Sequence, residues 1–267
     1  MATPVSTSTS TAGPMKGHLA LITGATSGIG LATAKQLAAQ GCDLILTGRR
    51  LNRLEKTANE ISHAHGVKVL IAAFDISSRE DTEAACAKLA GELPRLTILV
   101  NNAGLAIGTA SVQTTDLSHV DRMIDTNVKG LLYITRLCLP HLIKTGGHVL
   151  NIGSVAGRWV YPGGAVYAAT KFAVRAITEA LRMDLMGTSV RVTNIAPGMV
   201  ETEFSEVRYS GDTDKAAAVY KGMKPLSADD VAESIVWCLM RPKHVNVQEL
   251  IIYPTAQAGV GPYITRD

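Results

Sequence analysis

Tyr167 and Lys171 lie four residues apart, and Ser154 precedes Tyr167 by thirteen residues. Four residues make about one helical turn, so on a helix both side chains face one substrate atom. Hydride transfer to a ketone builds negative charge on the carbonyl oxygen, which a proton and hydrogen bonds stabilise. Tyr167 can give the proton, Ser154 can donate a hydrogen bond, and the Lys171 cation is expected to lower the pKa of Tyr167. The pattern predicts an oxidoreductase, although a lone Y-x-x-x-K spacing often arises by chance and needs support from other motifs.

A glycine-rich segment, T-G-A-T-S-G-I-G, lies between an apolar run and a helical pattern near the start of the chain. Gly24, Gly28 and Gly30 allow a tight turn there, which lets a pyrophosphate approach backbone N–H groups at the helix N-terminus. Glycine spacing alone is a weak signal, but the strand before it and the helix after it supply the required context. We therefore predict a dinucleotide cofactor.

Short apolar runs alternate with longer stretches of three-to-four-residue apolar spacing. This alternation predicts one α/β domain of the Rossmann type, a doubly wound parallel seven-stranded sheet with helices on both faces. The predicted strands are 18–23, 44–47, 67–73, 96–100, 148–151, 190–194 and 249–252, and the predicted helices are 29–40, 51–63, 79–90, 117–142, 166–186 and 228–240.

The stretch 198–227 departs from this rhythm, because it carries charges, Phe204, Tyr209 and Tyr220 where a short connection is expected. Long loops in compact domains are usually functional or disordered. This one would lie at the carboxyl ends of the strands, where ligands bind in open α/β sheets. We predict that it forms a substrate lid.

Composition excludes several other classes of protein. The chain has 267 residues and 46% hydrophobic content, and its net charge of +3 is spread along the sequence, which argues against a nucleic-acid partner. No apolar run is long enough to cross a bilayer, and the Ser/Thr-rich first residues lack the features of a secretion or import signal. We expect a cytoplasmic protein with residues 1–15 disordered and a single catalytic domain over 16–267.

Cysteine and histidine positions predict no metal site. The four cysteines are far apart and include no C-x-x-C pair, so buried free thiols in a reducing compartment explain them. His63 and His65 form the only close histidine pair. Without a third nearby ligand, a solvated helix end is the simpler interpretation of that pair.

The end of the second predicted strand distinguishes NAD from NADP, because an acidic side chain there binds a free ribose 2′-OH and repels a 2′-phosphate. This chain has Arg49 and Arg50 at that place and no carboxylate. Two guanidiniums that can pair with a phosphate predict NADP(H), although the same residues could simply begin a solvated helix. Asp75, which closes the third predicted strand, either accepts from the adenine amino group or caps the next helix.

These motifs, with N-N-A-G at 101–104, Asn127 and P-G at 197–198, occur in the order typical of short-chain dehydrogenases/reductases. The chain resembles the smaller, single-domain branch of that family over about residues 18–255. The resemblance implies that Asn127 joins Ser154, Tyr167 and Lys171 in the catalytic set, within a helix that opens locally to hold a proton-relaying water. It also implies cofactor contacts by Gly24, Thr26, Ser27, Gly28, Ile29, Gly30, Arg49, Arg50, Asp75, Asn102, Ala103, Gly104, Tyr167, Lys171, Pro197, Gly198, Val200 and Thr202.

One position departs from the family pattern. Many NADP-using relatives carry a basic residue just before Gly28, where this chain has Ser27. The coenzyme prediction therefore depends on Arg49 and Arg50.

Several segments resemble the family's subgroup of NADP-dependent serine and 3-hydroxy acid dehydrogenases. They are G-R-R-L-N-R-L, N-N-A-G-L-A-I-G, M-I-D-T-N-V-K-G-L, Y-P-G-G, the lid P-G-M-V-E-T-E-F-S-E-V-R-Y-S-G-D and the ending Y-P-T-A-Q. The resemblance implies oxidation of a small 3-hydroxy acid, such as serine, allo-threonine or 3-hydroxyisobutyrate. Apolar surface on the two long predicted helices indicates a homo-oligomer, which the resemblance makes a tetramer.

A carboxylate substrate requires a cation in the lid. Arg208 is our candidate and Arg158 the second, each weighed against an ordinary solvated arginine, while Ser154 and Tyr167 would contact the reacting oxygen. Two other functions fit the same motifs: reduction of a neutral ketone or secondary-metabolite carbonyl, and a non-catalytic NADP(H) sensor. The sensor would not need an intact catalytic set.

Overall fold

One parallel sheet organises the computed structural model, which describes residues 13–261 and 263–266. Its strands are β1 (Leu19–Ile22), β2 (Asp43–Gly48), β3 (Val69–Ala73), β4 (Ile98–Asn101), β5 (His148–Ile152), β6 (Arg191–Pro197) and β7 (Glu249–Ile252). Their order across the sheet is β3-β2-β1-β4-β5-β6-β7, so the winding reverses between β1 and β4. The predicted doubly wound Rossmann-type fold is confirmed, and its ligand crevice is expected at this reversal.

β1 shows why the sheet is covered on both faces. Ala20 and Ile22 pack into one core cluster, Leu19 and Leu21 pack into the other, and all four are buried. Successive side chains of a strand point to opposite faces, so a strand that is apolar at every position needs helices on both sides. β2 and β4 divide their side chains between the same two clusters.

Helices fill the connections between strands. Among the described residues, no helix is long and apolar enough to cross a membrane. All four cysteines are buried free thiols, as predicted. The α-helices are α1 (Gly28–Ala39), α2 (Leu51–His65), α3 (Arg79–Lys88), α4 (Leu117–Ile124), α5 (Leu131–Thr145), α6 (Ala165–Asp184), α7 (Glu203–Arg208), α8 (Thr213–Ala218) and α9 (Ala228–Leu239).

The helix predicted over 117–142 is interrupted. A π-helical segment, Asp125–Gly130, separates α4 from α5. The segment packs closely on the loop after β3, since a Cβ on Gly130 would lie 2.8 Å from the carbonyl oxygen of Ile76. Apolar periodicity does not reveal such a segment, because it widens the helix over only one turn. It contains Asn127, where the family resemblance implied a local opening.

The lid predicted as a loop over 198–227 contains two short helices. α7 follows Thr202 and α8 follows Asp212, and each of these side chains accepts a hydrogen bond from an N–H group of the first turn. Threonine and aspartate at these positions could have indicated two helix starts. Six residues are too few, however, to show the apolar periodicity of a helix. An isolated parallel bridge between Val200 and Leu226 closes the base of the lid.

Residues just before the predicted boundary at residue 16 are already packed. Met15 is buried, and its N–H donates to the carbonyl oxygen of Gln40 at 2.9 Å. A Cβ on Gly13 would lie 2.3 Å from that oxygen, so the chain is close there as well. Met15 joins the core because its side chain is apolar. The rest of the predicted disordered segment lies outside the described residues.

Candidate active site

The turn after β1 can receive a phosphate. Gly24 and Gly28 have φ values of +66° and +54°, a region that glycine enters without strain. Gly30 is buried, and a Cβ there would lie 2.5 Å from the carbonyl oxygen of Gly24. Ser27 precedes α1 with its hydroxyl in no capping hydrogen bond among the described residues. The first N–H groups of α1 therefore remain available to an anion.

The N-N-A-G segment after β4 holds this turn in place. The Asn102 side-chain amide donates to the carbonyl oxygens of Thr23 at 2.8 Å and Gly24 at 3.1 Å. Asn101 is buried and donates to Asn151 at 2.8 Å, which agrees with a structural role. The two loops therefore meet at the reversal point of the sheet, where a ligand crevice is expected.

One cavity of about 340 Å³ joins the glycine-rich turn to the predicted catalytic residues. Its wall also includes apolar side chains that were not predicted from the sequence, among them Phe74, Ile76, Leu105 and Val207. Phe74 and Ile76 flank the predicted Asp75, and that adjacency could have indicated that they line the cavity. The predicted residues that line the cavity are Gly24, Thr26, Ser27, Gly28, Ile29, Arg49, Arg50, Asp75, Asn102, Ala103, Gly104, Ser154, Tyr167, Lys171, Pro197, Gly198, Val200 and Thr202.

Arginines form one end of this cavity. Arg50 donates from Nη2 to the hydroxyls of Thr26 at 2.7 Å and Ser27 at 3.1 Å, both in the glycine-rich turn. Arg49 lies 3.9 Å from the carboxylate of Asp75. Both guanidiniums therefore border the cavity, and neither belongs only to a solvated helix.

The Asp75 carboxylate accepts hydrogen bonds from the N–H and hydroxyl of Ser77, at 3.0 and 2.7 Å. The cap of α3 is Ser78, whose hydroxyl accepts from Asp81 N–H, so Asp75 does not cap that helix. Burial acts to raise the pKa of Asp75, but the bonds from Ser77 and the charge of Arg49 outweigh it and lower the pKa. Of the two interpretations, contact with an adenine amino group is the one that stays open.

The predicted catalytic side chains meet at the other end of the cavity. Tyr167 and Lys171 occupy the first two turns of α6 and both line the cavity. Lys171 Nζ donates to the carbonyl oxygen of Ile152, the last residue of β5, at 2.8 Å. Ser154 Oγ accepts from Ala156 N–H at 3.1 Å, which leaves its own hydroxyl proton free to donate. The tyrosine and the serine can therefore address one substrate oxygen.

The pKa of Tyr167 differs from the sequence expectation. Burial raises it to about 12, and the nearby Arg208 guanidinium and Ser154 hydroxyl only partly oppose that rise. The groups that shift this pKa do not include Lys171, whose Nζ lies 5.8 Å from the ring centroid. Burial lowers the pKa of Lys171 itself to about 8. Tyr167 is therefore protonated at neutral pH, as a proton donor requires.

Asn127 is buried behind the cavity wall. Its Oδ1 accepts from Leu105 N–H at 2.8 Å, and its Nδ2 donates to the Leu105 carbonyl at 2.8 Å and to Thr170 Oγ1 at 3.0 Å. A Cβ on Gly104 would lie 3.3 Å from Asn127 Oδ1 and 3.6 Å from Lys171 Nζ. Gly104 thus lets Asn127 and Lys171 approach the same small space.

Arg208, at the end of α7, lies against Tyr167. Its guanidinium carbon is 5.1 Å from the Tyr167 ring centroid and 5.4 Å from that of Phe204, and Nη2 donates to Tyr161 Oη at 3.0 Å. Arg208 Nε is buried without a hydrogen-bond partner among the described residues. Tyr161 and Phe204 are not among the predicted site residues, although they lie in the Y-P-G-G segment and in the predicted lid.

Arg158 occupies a different environment. Its guanidinium forms an ion pair with Glu249 at the start of β7, and Glu249 also accepts from Asn194 Nδ2 at 2.9 Å. The charge of Arg158 is therefore already matched by a carboxylate. Of the two arginines, the geometry favours Arg208 as the cation next to Tyr167.

Comparison with known proteins agrees with this geometry. The family described as short chain dehydrogenase matches the chain over residues 18–212. The chain belongs to the short-chain dehydrogenase family. The family and the fold predicted from the sequence are both confirmed, and this dehydrogenase is an oxidoreductase by that membership.

Two relatives and one solved structure are similar to nearly the whole of this dehydrogenase. Sulfoacetaldehyde reductase 2 of Chromohalobacter salexigens is 47% identical over 251 residues, which cover 93% of this chain and 99% of the relative. Serine 3-dehydrogenase of Agrobacterium fabrum is 46% identical over 248 residues, covering 92% and 98%. The closed form of serine dehydrogenase complexed with NADP+ superposes with a TM-score of 0.87 at 43% identity, covering 93% and 100%.

We expect Lys171→Met to make this dehydrogenase more stable than wild type at pH 7, by about 1 to 3 kcal/mol. Burial lowers the pKa of Lys171 from 10.5 to about 8, so at pH 7 the fold holds an ammonium where charge is disfavoured. Between these two values the unfolded chain binds more protons at this group, so the stability of the wild type rises with pH there. The difference in the free energy of unfolding between the variant and the wild type should therefore decrease from pH 8 to 10.5.

Urea unfolding of both proteins across that pH range measures the difference. Comparing the two proteins cancels every group that they share. Lys35→Met, on an exposed position of α1, is the control for the change of side chain. A constant difference for Lys171→Met would contradict the prediction.

Proposed function

We propose that this dehydrogenase interconverts a hydroxyl and a carbonyl group on small 3-hydroxy acids of the serine, allo-threonine and 3-hydroxyisobutyrate type, with NADP(H). One observation carries the substrate class: the Arg208 guanidinium lies 5.1 Å from the Tyr167 ring centroid, with its Nε unpartnered among the described residues. A cation at that place can hold a carboxylate while the reacting oxygen faces the tyrosine. The serine 3-dehydrogenase relative supports the same class.

NADP(H) fits the cavity that the structure provides. The glycine-rich turn can hold the pyrophosphate, and Arg49 and Arg50 border the end of β2 where a ribose 2′-phosphate would lie. The cavity continues from these arginines to Tyr167 and Lys171, as an extended dinucleotide requires. The NADP+ complex of the similar serine dehydrogenase supports this cofactor.

When bound, the nicotinamide accepts or supplies the hydride. During reduction the protonated Tyr167 gives its proton to the carbonyl oxygen and becomes a phenolate, and during oxidation that phenolate takes the proton of the substrate hydroxyl. Ser154 donates a hydrogen bond to the same oxygen. Lys171 holds positive charge beside the tyrosine, and Asn127 fixes the backbone of Leu105 at the cavity wall. Residues on α6, the π-helical segment and the loop after β5 thus set the protonation state of the tyrosine and the orientation of the substrate oxygen.

A sulfonate in place of the carboxylate is the second candidate. In sulfoacetaldehyde and in a 3-oxo acid, a single carbon atom separates the anionic group, sulfonate or carboxylate, from the reacting carbonyl carbon. One arginine can therefore bind either molecule beside the same tyrosine. The 47% identity to a sulfoacetaldehyde reductase favours testing this substrate.

A spectrophotometric panel tests the proposal. We expect NADP+ to be reduced with L-serine, L-allo-threonine or 3-hydroxyisobutyrate, at kcat/KM about 100-fold above the value with NAD+, because each charge-assisted phosphate contact contributes about 1.5–3 kcal/mol. Sulfoacetaldehyde with NADPH and a neutral secondary alcohol complete the panel. Turnover of the neutral alcohol alone would replace the proposal with a general carbonyl reductase. NADP+ binding without any turnover would indicate a sensor.

We also propose a homotetramer in a reducing compartment such as the cytoplasm. Leu132 on α5 and Phe172, Met183 and Met186 on or just after α6 are exposed apolar side chains, which a subunit interface would cover. The buried free thiols suit a reducing compartment. Light scattering should give about four times the 28.2 kDa chain mass, and a monomer mass would contradict the tetramer.

A further inference from the structure

Glu203, the first residue of α7, bridges Arg50, which lines the cavity, and Arg53 on α2. Its carboxylate accepts from Arg50 Nη1 at 3.1 Å and from Arg53 Nη1 at 2.8 Å. The hydrogen bonds from these arginines outweigh burial and hold the pKa of Glu203 below its ordinary value, so the group is ionised at neutral pH. A lid residue therefore places a negative charge on two guanidiniums at the start of α2.

Arg50 connects the lid with the glycine-rich turn. The same guanidinium that donates to Glu203 also donates to Thr26 at 2.7 Å and Ser27 at 3.1 Å. Glu203 and Arg50 both line the cavity that ends at Tyr167. A ligand group that binds Arg50 must therefore either share this guanidinium with the Glu203 carboxylate or displace it.

We propose that Glu203 is a specificity-determining latch, which competes with the ribose 2′-phosphate for Arg50 and Arg53 and so links cofactor binding to the position of α7. The inference rests on the proposed use of NADP(H). A 2′-phosphate carries negative charge and repels a carboxylate within a few ångströms. NAD(H), which lacks the 2′-phosphate, is not repelled in this way. Glu203 therefore reduces the preference for NADP(H) over NAD(H), while it anchors the lid.

An ordinary surface ion pair is the competing explanation. The side chains of Glu203, Arg50 and Arg53 are 41%, 43% and 49% exposed, and exposed pairs often contribute little. The explanations predict different effects on the affinity for a 2′-phosphate. Removal of a competing carboxylate strengthens its binding, and loss of an ordinary surface pair leaves its binding unchanged. If Glu203 instead orients the arginines, its loss weakens binding.

Calorimetric titration of Glu203→Gln with adenosine 2′,5′-bisphosphate tests the proposal without turnover. We expect Kd for this probe to fall roughly three- to ten-fold relative to wild type, and the effect to shrink at high salt. Kd for adenosine 5′-monophosphate, which lacks the 2′-phosphate, should change less than about two-fold. Glu206→Gln, an exposed glutamate on the same helix, is the matched control and should bind both probes like wild type.

Hydrogen exchange provides the second measurement. Amides of α7 should exchange faster in Glu203→Gln than in wild type or Glu206→Gln, because the link to Arg50 and Arg53 is lost. Unchanged or weaker binding of the bisphosphate by Glu203→Gln, or unchanged exchange in α7, would overturn the proposal. If wild type bound both adenosine probes equally, the assignment of NADP(H) would fail instead, so the two failures are distinguishable.

Discussion

Tyr167→Phe is expected to lower kcat by about 10³-fold in both directions of the reaction. In the proposed mechanism the phenol gives its proton to the substrate oxygen. Burial raises its pKa to about 12, so it is protonated throughout the neutral range. Phenylalanine keeps the ring that packs edge-on against Phe204, with centroids 5.6 Å apart, and removes only the hydroxyl. Initial rates with saturating NADP+ and 3-hydroxy acid measure the effect.

Tyr263→Phe, at an exposed tyrosine near the C-terminal end, is the matched control and should retain wild-type kcat. Titration with NADP+ should show that Tyr167→Phe still binds cofactor, which separates lost chemistry from lost folding. A reduction in kcat of less than about ten-fold would mean that another group supplies the proton. Ser154 would then be the first residue to test, because its hydroxyl proton is free to donate.

Arg208→Ala is expected to reduce kcat/KM for 3-hydroxy acids by about 100-fold and to change that for a neutral secondary alcohol only a few-fold. The lost interaction is a charge-assisted pair between the guanidinium and the substrate carboxylate. A neutral alcohol makes no such pair, and its small loss would reflect the removed contact with the Tyr167 ring, 5.1 Å away. Arg208→Lys should lie between wild type and Ala, because an ammonium cannot form the bidentate pair.

Arg158→Ala is the matched control for this experiment. Its guanidinium pairs with Glu249, so any loss should be shared equally by charged and neutral substrates. The decisive quantity for each variant is the ratio of kcat/KM for the 3-hydroxy acid to kcat/KM for the neutral alcohol. Equal losses on both substrate types in Arg208→Ala would exclude a carboxylate-binding role for Arg208.

Local patterns account for much of what was predicted correctly. β1 is apolar at each of its four positions, which indicated a strand covered on both faces, and glycine at 24, 28 and 30 indicated a tight turn before a helix. Tyr167 and Lys171 meet because one helical turn separates them, whatever else the chain does. In each case the interacting residues are near neighbours in sequence, so helix and strand geometry fix their relation.

The sequence by itself therefore determined the alternation of strands and helices, the dinucleotide turn and the tyrosine–lysine pair. Only the tertiary structure decided that Glu203 reaches Arg50 across 153 positions, that Arg208 rather than Arg158 lies beside Tyr167, and that Asn127 sits in a π-helical segment. It also decided that burial, more than Lys171, sets the pKa of Tyr167. These outcomes depend on how distant segments pack and exclude water, and side-chain packing and desolvation have no sequence period from which they can be read.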